Sequence, residues 1–385
     1  MKILVVCDVL GKENNGTTIA AMNLIRYLKS RGHEVRILCA DRDKLGEENV
    51  YVCPALNLGK LLNAYIAKVG VTIARADESI VREAVEGVDH IHIMLPFSLG
   101  MRAVKIAREL GIPTTAGFHM QAENLTSHLK LNRFGFSNRA VYRYIYKHFY
   151  RYVDAVHYPT EFIRGVFERG ARHTTNGYVI SNGVHSYVRP RAAEKPEELS
   201  DKIVILSTGR FSREKSQDTL IKAVNLSKHR DRIQLILGGH GPKERYYKKL
   251  AKKLPIPPRF EFYSREEIID VLNFSDIYVH PAEYELEGIS CLEAIVCGKL
   301  TIVSDSGKAA TGAFAADKKC IFKSRSPRSL ASVIDYWIEH PEARRDYEKK
   351  YLNLAVAYDW EVCMRKMETM MEEVGSAKRE KDCIL

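Results

Sequence analysis

Short apolar runs alternate with helical patterns along almost the whole chain, and this alternation limits the possible fold more than any other feature. The first runs are KILVVCDV (2–9), EVRILCA and DHIHIMLP (89–96), and apolar residues with helical spacing separate them. Strands that alternate with helices form parallel sheets covered by helices. The sequence therefore predicts an α/β protein.

The alternation is interrupted once and then restarts. Residues 186–200 (SYVRPRAAEKPEELS) are rich in proline and charge and lack periodicity, which is typical of a linker. The later strand-like runs are KIVILST (202–208), IQLILGG (233–239), DIYVHPA (276–282) and KLTIVSD (299–305). We therefore predict two doubly wound, Rossmann-like domains, at 1–187 and 188–357, with a C-terminal helix at about 358–385. Ligands of such folds bind at the carboxyl ends of the strands, so we expect a cleft there.

Composition points to an anionic partner and a reducing compartment. The 385 residues include 59 Lys+Arg and 48 Asp+Glu, a formal net charge of +11 that suits a phosphorylated small molecule, an anionic membrane or nucleic acid. The eight cysteines have no CxxC spacing and mostly lie in apolar runs, as reduced thiols do. The first residues do not resemble a signal peptide, and no apolar run approaches the roughly 18 residues that span a bilayer. We expect a cytoplasmic protein, soluble or peripheral.

Two carboxylates flank a turn that follows a predicted strand. Glu285 and Glu293 lie eight positions apart in ELEGISCLE, and Gly288 between them permits close approach of the backbone. The helix that begins here would present free N–H groups suited to a phosphate. The alternative is that Glu285, Glu287 and Glu293 are solvated. Glu293 lies within an apolar run, which argues against that alternative.

A basic loop follows the first strand of the second domain. Its sequence is TGRFSREKSQ (208–217), in which Gly209 ends a strand and Arg210 and Lys215 carry two cations. Such a loop suits a diphosphate, because arginine binds phosphate with two donors and lysine as a point charge. A merely solvated basic loop is the alternative. The glycine turn GGHGP (238–242), with Gly239, is a weaker indication because such turns also occur for structural reasons.

Together these motifs resemble a known family. The E-x7-E pattern, GRFSREKSQ, GGHGP and SNGV before the linker are similar to the retaining glycosyltransferases of family 4, which have the GT-B fold. The resemblance covers nearly the whole chain, from the glycine-loop start at Gly16 to the closing YDWEVCMRKMETMMEEV. In this fold the last helix crosses back to the first domain. The chain departs from the usual pattern at Asn15, at Glu287 and at the single-glycine loop Ser306–Gly307–Lys308.

The resemblance implies a role for each motif residue. Arg210 and Lys215 would neutralise the leaving diphosphate, Glu285 would contact the transferred sugar, and Glu293 would accept hydrogen bonds from the ribose. His119 would lie near the anomeric carbon, although a structural histidine at a strand end is the alternative. The donor-binding residues would be Gly16, Thr17, Gly209, Arg210, Lys215, Gly239, Gly288, Ile289, Ser290 and Glu293, with Gly16 and Thr17 in a loop near the phosphates. No cofactor, metal or protein nucleophile is expected, and no DxD-like carboxylate cluster is placed for a divalent ion.

A basic and aromatic segment suggests the acceptor side. Residues 130–151 contain six basic residues, no acid and seven aromatics. Arg139, Arg143, Lys147 and Arg151 are four apart and would form one stripe on a helix, beside Tyr142, Tyr146 and Tyr150. Such a helix suits an anionic membrane interface. The alternative is that the aromatics pack in the core. Residues 56–62 (LNLGKLL) are a second candidate, and no nucleic acid is expected because no recognised binding module is present.

The sequence therefore predicts a hexosyltransferase at the inner face of the cell membrane. Some bacterial members of the family glucosylate diacylglycerol, and GFHMQAENLTSHL followed by the basic segment resembles that branch. The expected donor is UDP-glucose and the expected acceptor a lipid such as diacylglycerol. The same chemistry on a soluble or polysaccharide acceptor is an alternative, and a non-catalytic sugar-nucleotide-binding protein is another. An NAD-dependent oxidoreductase is excluded because VLGKENNGTT lacks the GxGxxG pattern.

Overall fold

The computed structural model describes residues 1–8, 10, 16–56, 59, 74–121 and 135–384, with only the helical backbone at 135–137 and 381–384. The chain divides into two compact units. The first is Met1–Ser181 with Met364–Leu385, and the second is Asn182–Cys363. The limits predicted from the sequence lie a few residues away from these.

In the first unit, the described residues form a parallel sheet of seven strands. They are β1 (Lys2–Val6), β2 (Glu34–Cys39), β3 (Val50–Val52), β4 (His90–Ile93), β5 (Thr114–Gly117), β6 (Ala155–Tyr158) and β7 (Gly177–Val179). Their order is β3-β2-β1-β4-β5-β6-β7, so the winding reverses between β1 and β4. Four of the five residues of β1 are fully buried, as expected for an inner strand covered on both faces.

Six described helices belong to the first unit. They are α1 (Gly16–Ser30), α2 (Glu78–Val85), α3 (Ser98–Glu109), α4 (Gly135–His148), α5 (Glu161–Ala171) and the C-terminal α12 (Trp360–Ile384), which starts at the end of the second unit. Polar caps fix two of the starts, because Asp77 accepts from the Ser79 N–H and Thr160 from the Ile163 N–H.

The second unit repeats this architecture. Its described strands are β8 (Ile203–Thr208), β9 (Ile233–Gly238), β10 (Arg259–Glu261), β11 (Ile277–His280), β12 (Thr301–Ser304) and β13 (Ile321–Phe322). They are parallel in the order β10-β9-β8-β11-β12-β13, so the winding reverses between β8 and β11. The helices are α6 (Gln217–Leu226), α7 (Glu244–Ala251), α8 (Arg265–Phe274), α9 (Ile289–Val296), α10 (Pro327–Glu339) and α11 (Pro341–Ala355).

The C-terminal helix α12 contributes to the core of the first unit. Met367, Met370 and Met371 on this helix are buried. The Glu368 carboxylate accepts hydrogen bonds from the Tyr27 hydroxyl at 3.0 Å and pairs with His33 Nε2 at 2.7 Å. These contacts join the two ends of the chain within one unit.

The predicted membrane-facing stripe of tyrosines in and after α4 is wrong for two of its three members. Tyr142 and Tyr150 are almost completely buried among Phe118 and Phe167, so they are core residues and cannot meet a membrane. Tyr146 is half-buried and stacks on His173 at 4.3 Å. Glycine at position 170 makes this packing possible, because a Cβ there would lie 2.4 Å from the Tyr142 ring.

The basic stripe itself is exposed but is not continuous. Arg139, Arg143 and Lys147 lie on the exposed face of α4, whereas Arg151 lies in a separate 3₁₀ turn at Tyr150–Tyr152 because the helix ends at His148. Within this segment the exposed tyrosines are Tyr144 and Tyr152, which the sequence analysis does not single out. Lys130, Arg133 and most of 56–62 lie outside the described residues.

No helix in the described part of the chain combines the length and the apolar character that crossing a membrane requires.

Candidate functional site

Loops at the carboxyl edge of the second unit's sheet hold most of the predicted residues. The loop after β8 contains Arg210 and Lys215, the loop after β9 contains Gly239, and the segment after β11 leads through Glu285 into α9. Strands β8 and β11 are the neighbours between which the winding reverses. In doubly wound sheets this point is where ligands bind.

Glycines let the first two of these loops pack backbone against backbone. The Gly209 N–H donates to the Gly238 carbonyl at 2.9 Å, and the Phe211 N–H to the His240 carbonyl at 2.9 Å. Gly239 has a φ of +140°, and a Cβ there would lie 2.2 Å from the Gly209 carbonyl oxygen. A side chain at position 239 would therefore separate the two loops.

Lys215 and Glu285 form an ion pair at the centre of this edge. The Lys215 ammonium donates to a carboxylate oxygen of Glu285, and His280 Nε2 lies 3.1 Å from the same oxygen. Burial would raise the pKa of the Glu285 carboxyl, but the charge of Lys215 and the hydrogen bond from His280 outweigh it and lower the pKa to about 2. Burial lowers the pKa of His280, so the imidazole is neutral at pH 7. The site therefore holds one carboxylate fixed between two donors.

A hydrogen-bonded chain fixes His280 from behind. Tyr278 Oη lies 3.4 Å from His280 Nδ1 and 3.0 Å from Thr208 Oγ1. Tyr278 and His280 point to the same side of β11 because they are two residues apart. The sequence reading missed both residues. Their spacing in DIYVHP, directly before the E-x7-E pattern, was the available signal.

The N-terminus of α9 presents unpaired donors beside Glu285. Gly288 precedes the helix with a φ of +90°, and a Cβ there would lie 2.6 Å from the Thr311 side chain. The N–H groups of Ile289 and Ser290 make no hydrogen bond to any residue that the structure describes. Free N–H groups at a helix start favour an anion.

Glu293 lies on the same helix in a different environment. Its side chain is partly exposed, and its carboxylate has no hydrogen-bond partner within the described ranges. Burial raises the pKa of the Glu293 carboxyl to about 7, slightly offset by Arg265. An unpartnered carboxylate of this kind is available to a ligand's hydroxyl groups.

Arg210 and Glu287, the other charged residues of these motifs, differ in burial and in their partners. Arg210 is exposed, and its guanidinium has no ion-pair partner in the described part of the chain. Glu287 is 3% exposed and accepts from the Asn182 N–H at 3.1 Å, so it anchors the beginning of the second unit. The alternative that all three glutamates are solvated is therefore wrong for Glu287. It is also wrong for Glu285, whose side chain is largely buried.

His119 lies in the first unit, directly after β5. Its ring folds back over Gly117, where a Cβ would lie 2.3 Å from His119 Nε2, and meets the His157 ring edge-on at 5.6 Å. Nε2 is buried without a hydrogen-bond partner among the described residues. Burial lowers the pKa of His119 to about 3, so the ring is neutral at pH 7.

Gly16 and Thr17 are the first two residues of α1 and not part of a loop. The helical pattern extends further toward the N-terminus than the sequence indicated, since glycine at the first position is compatible with a helix start. The residues that precede them, 11–15, lie outside the described part of the chain.

Two further aromatic residues border the second unit's edge. Phe262 follows β10 and is 72% exposed, and its ring packs edge-on against His240 at 4.9 Å. The sequence reading did not single them out. A phenylalanine within the strand-like run RFEFYS was the signal, since the carboxyl end of a strand is where ligands bind.

Among the residues that the structure describes, no group of three or more histidine, cysteine, aspartate or glutamate side chains is arranged to hold an ion.

Comparison with known proteins identifies the class. A family model described as "Glycosyltransferase Family 4" matches residues 14–186, and one described as "Glycosyl transferases group 1" matches residues 188–352. Together the two matches span most of the chain, one in each half. Two Rossmann-like units with these matches define a GT-B glycosyltransferase. The chain belongs to glycosyltransferase family 4.

Two curated relatives show how far the similarity extends. The chain is 27% identical to an alpha-monoglucosyldiacylglycerol synthase of Streptococcus pneumoniae over 55% of its own length and 50% of the relative. It is 25% identical to a GDP-mannose-dependent alpha-(1-6)-phosphatidylinositol dimannoside mannosyltransferase of Mycobacterium tuberculosis over 90% of both chains. The first match thus spans only half of the synthase.

Solved structures confirm the predicted GT-B fold. The chain resembles HepE from Anabaena, solved in complex with UDP, with a TM-score of 0.72 at 16% identity, covering 97% of this chain and 100% of that one. It resembles sucrose-phosphate synthase from Thermosynechococcus elongatus with a TM-score of 0.75 at 16% identity, covering 98% and 99%.

Proposed function

We propose that this protein is a retaining, metal-independent hexosyltransferase that moves glucose from UDP-glucose to a membrane-associated lipid acceptor such as diacylglycerol. The observation that carries the proposal is the Lys215–Glu285 pair at the reversal point of the second sheet, beside the free N–H groups of α9. Cationic and N–H donors together suit a diphosphate leaving group, and an adjacent fixed carboxylate suits sugar hydroxyls.

Each residue has a proposed part in the transfer. Lys215, Arg210 and the N–H groups of Ile289 and Ser290 would stabilise the diphosphate as the bond between the anomeric carbon and the phosphate oxygen breaks. The acceptor oxygen would bond to the same carbon from the same face, and its proton would pass to the departing phosphate. Glu285 would hold the sugar, Glu293 the ribose, and the neutral His119 would lie near the anomeric carbon.

The lipid acceptor is supported by the names of the relatives. The synthase from Streptococcus pneumoniae and the mannosyltransferase from Mycobacterium tuberculosis both have a lipid in their names. The exposed cations of α4 and Arg151, with Tyr144 and Tyr152 beside them, support a contact with an anionic membrane at the inner face of the cell membrane. UDP-glucose is the first donor to test.

The site is tested by two substitutions and a matched control. Lys215→Ala and Glu293→Ala should each lower turnover of UDP-glucose with diacylglycerol in mixed micelles at least a hundredfold, because each removes a contact to the donor. Lys202→Ala, at a partly exposed lysine paired with Asp201, should keep normal turnover. Proton NMR of the product should show the anomeric configuration of the donor. Near-normal turnover in both site variants would remove the assignment.

A further inference from the structure

A basic surface on the second unit has no part in the proposed transfer reaction. Residues 243–253 contain six lysine or arginine residues and one acid, Glu244, so this short segment carries a net charge of +5. It forms α7 and the turn that follows it. The segment therefore holds nearly half of the chain's formal net charge.

The cations of α7 lie on one face of the helix. Tyr247 and Ala251 face the core, and the Tyr247 hydroxyl donates to the Ser212 carbonyl at 2.7 Å. Arg245, Lys249 and Lys252 are four and three residues apart, so they lie together on the opposite, exposed side. The buried face thus fixes the direction in which the charges point.

Most of these cations lack a counter-charge. Lys248 pairs with Glu244 at 2.7 Å, but Arg245, Lys249, Lys252 and Lys253 form no ion pair with any described residue. Four unneutralised cations on so short a helix and the turn after it repel one another, which disfavours the free protein and favours an anionic partner. A merely solvated face would be expected to carry interspersed acids.

An aromatic side chain borders the charged face. Tyr246 is 45% exposed, and the Lys243 ammonium lies 5.4 Å from the centre of its ring. Lysine and arginine beside an exposed tyrosine are typical of helices that lie at a lipid headgroup layer.

We propose that the exposed face of α7 and of the turn after it, formed by Arg245, Tyr246, Lys249, Lys252 and Lys253, binds the surface of an anionic membrane. This contact lies on the second unit and is independent of the cations of α4 on the first. Since Tyr247 joins α7 to the Ser212 carbonyl in the loop that carries Arg210 and Lys215, the contact would hold that loop's unit at the lipid surface.

The test is co-sedimentation of the full chain with vesicles of phosphatidylglycerol and phosphatidylcholine. Each cation near an anionic surface contributes about 1 kcal/mol, so the triple variant R245E/K249E/K252E should lower vesicle partitioning at low salt roughly a hundredfold. The matched control K318E/K323E/K349E makes the same change of net charge at exposed positions of the same unit and should lower it less than about threefold. Pure phosphatidylcholine vesicles should bind none of the three proteins.

Two further measurements separate this inference from the proposed function. Turnover with UDP-glucose and acceptor in neutral detergent micelles should be unchanged in R245E/K249E/K252E, which also shows that the variant is folded. Equal vesicle partitioning of the two triple variants would overturn the inference. It would also be overturned if partitioning fell only when the charges of Arg139, Arg143 and Lys147 were reversed. If R245E/K249E/K252E lost binding to an RNA homopolymer but kept its binding to vesicles, the inference would also be overturned, and the face would be assigned to nucleic acid.

Discussion

Two glutamates eight positions apart have opposite electrostatic environments. Glu285 lies between Lys215 and His280, which lower its carboxyl pKa to about 2, whereas burial without a partner raises that of Glu293 to about 7. In functional sites the pKa values of two similar groups are often shifted in opposite directions. Glu285 is thus an anion at neutral pH, whereas the Glu293 carboxyl has no hydrogen-bond partner among the described residues.

The environment of Glu293 predicts a measurable cost to stability. Its folded pKa of about 7 lies above the ordinary value of 4.5, so the folded state disfavours the ion and loses stability as the pH rises from 4.5 through 7. Glu293→Gln should raise the free energy of unfolding at pH 8 by about 2 kcal/mol, and by less than half as much at pH 5. Urea unfolding followed by tryptophan fluorescence measures this, because Trp337 and Trp360 both lie in the second unit. Equal gains at the two pH values would contradict a raised pKa for the Glu293 carboxyl.

The elements show what periodicity can and cannot predict. The strand–helix alternation predicted both sheets, because apolar runs of strand length depend only on local sequence. In α4 two stripes share the same four-residue spacing, the cations at 139, 143 and 147 and the tyrosines at 142 and 146. Which stripe is buried depends on Gly170, a distant residue that leaves room for Tyr142.

The candidate site was predictable only in part, because its contacts also join residues that are distant in the sequence. Motif spacing brought out Lys215 and Glu285 separately, because each follows a strand of recognisable pattern. Their ion pair joins residues 70 positions apart and depends on β8 and β11 being neighbours in the sheet. The burial that gives Glu293 its raised pKa also comes from tertiary packing, which a single sequence does not reveal.

Adjacent strands of the first unit bring three buried histidines together, and the half-buried His119 lies beside them. His90 and His92 of β4 both bond to Thr115 Oγ1 of β5 at 2.9 Å, and His157 of β6 bonds to the Ile180 carbonyl at 2.7 Å. Burial lowers the pKa of His90 and His119 to about 3 and of His157 to about 4, and it also lowers that of His92. The sheet therefore holds these rings neutral.

Neutral buried histidines make the first unit sensitive to acid. The unfolded chain takes up protons below pH 6.5 that the folded state excludes, so stability is present above pH 6.5 and is lost as the pH falls toward 4. His157→Gln should lower the slope of unfolding free energy against pH near pH 5 by about 1 kcal/mol per pH unit. The exposed control His148→Gln should leave the slope unchanged. Urea unfolding followed by far-UV circular dichroism at several pH values would measure the slopes, and an unchanged slope in His157→Gln would show that the ring is already charged.

At the scale of the whole molecule, the first unit is built from both ends of the chain. Residues 364–385 return to it, and Glu368 receives hydrogen bonds from Tyr27 and Arg31 and pairs with His33. Lys378 further along α12 donates to the Ile112 carbonyl at 2.9 Å. The stability of the first unit should therefore depend on the contacts that residues 364–385 make with it, whereas the stability of the second unit should not.

This arrangement predicts two separable unfolding transitions. Glu368→Ala leaves the Tyr27 hydroxyl and His33 without their acceptor, so it should destabilise the first unit by about 2 kcal/mol. Far-UV circular dichroism should then show an earlier transition, whereas tryptophan fluorescence, which reports only on the second unit, should keep its midpoint. UDP-glucose, the proposed donor, should raise the fluorescence midpoint, because a ligand stabilises the unit that binds it. Glu372→Ala, at an exposed position on the same helix, should change neither signal. Coincident shifts of both signals in Glu368→Ala would show instead that the two units unfold as one.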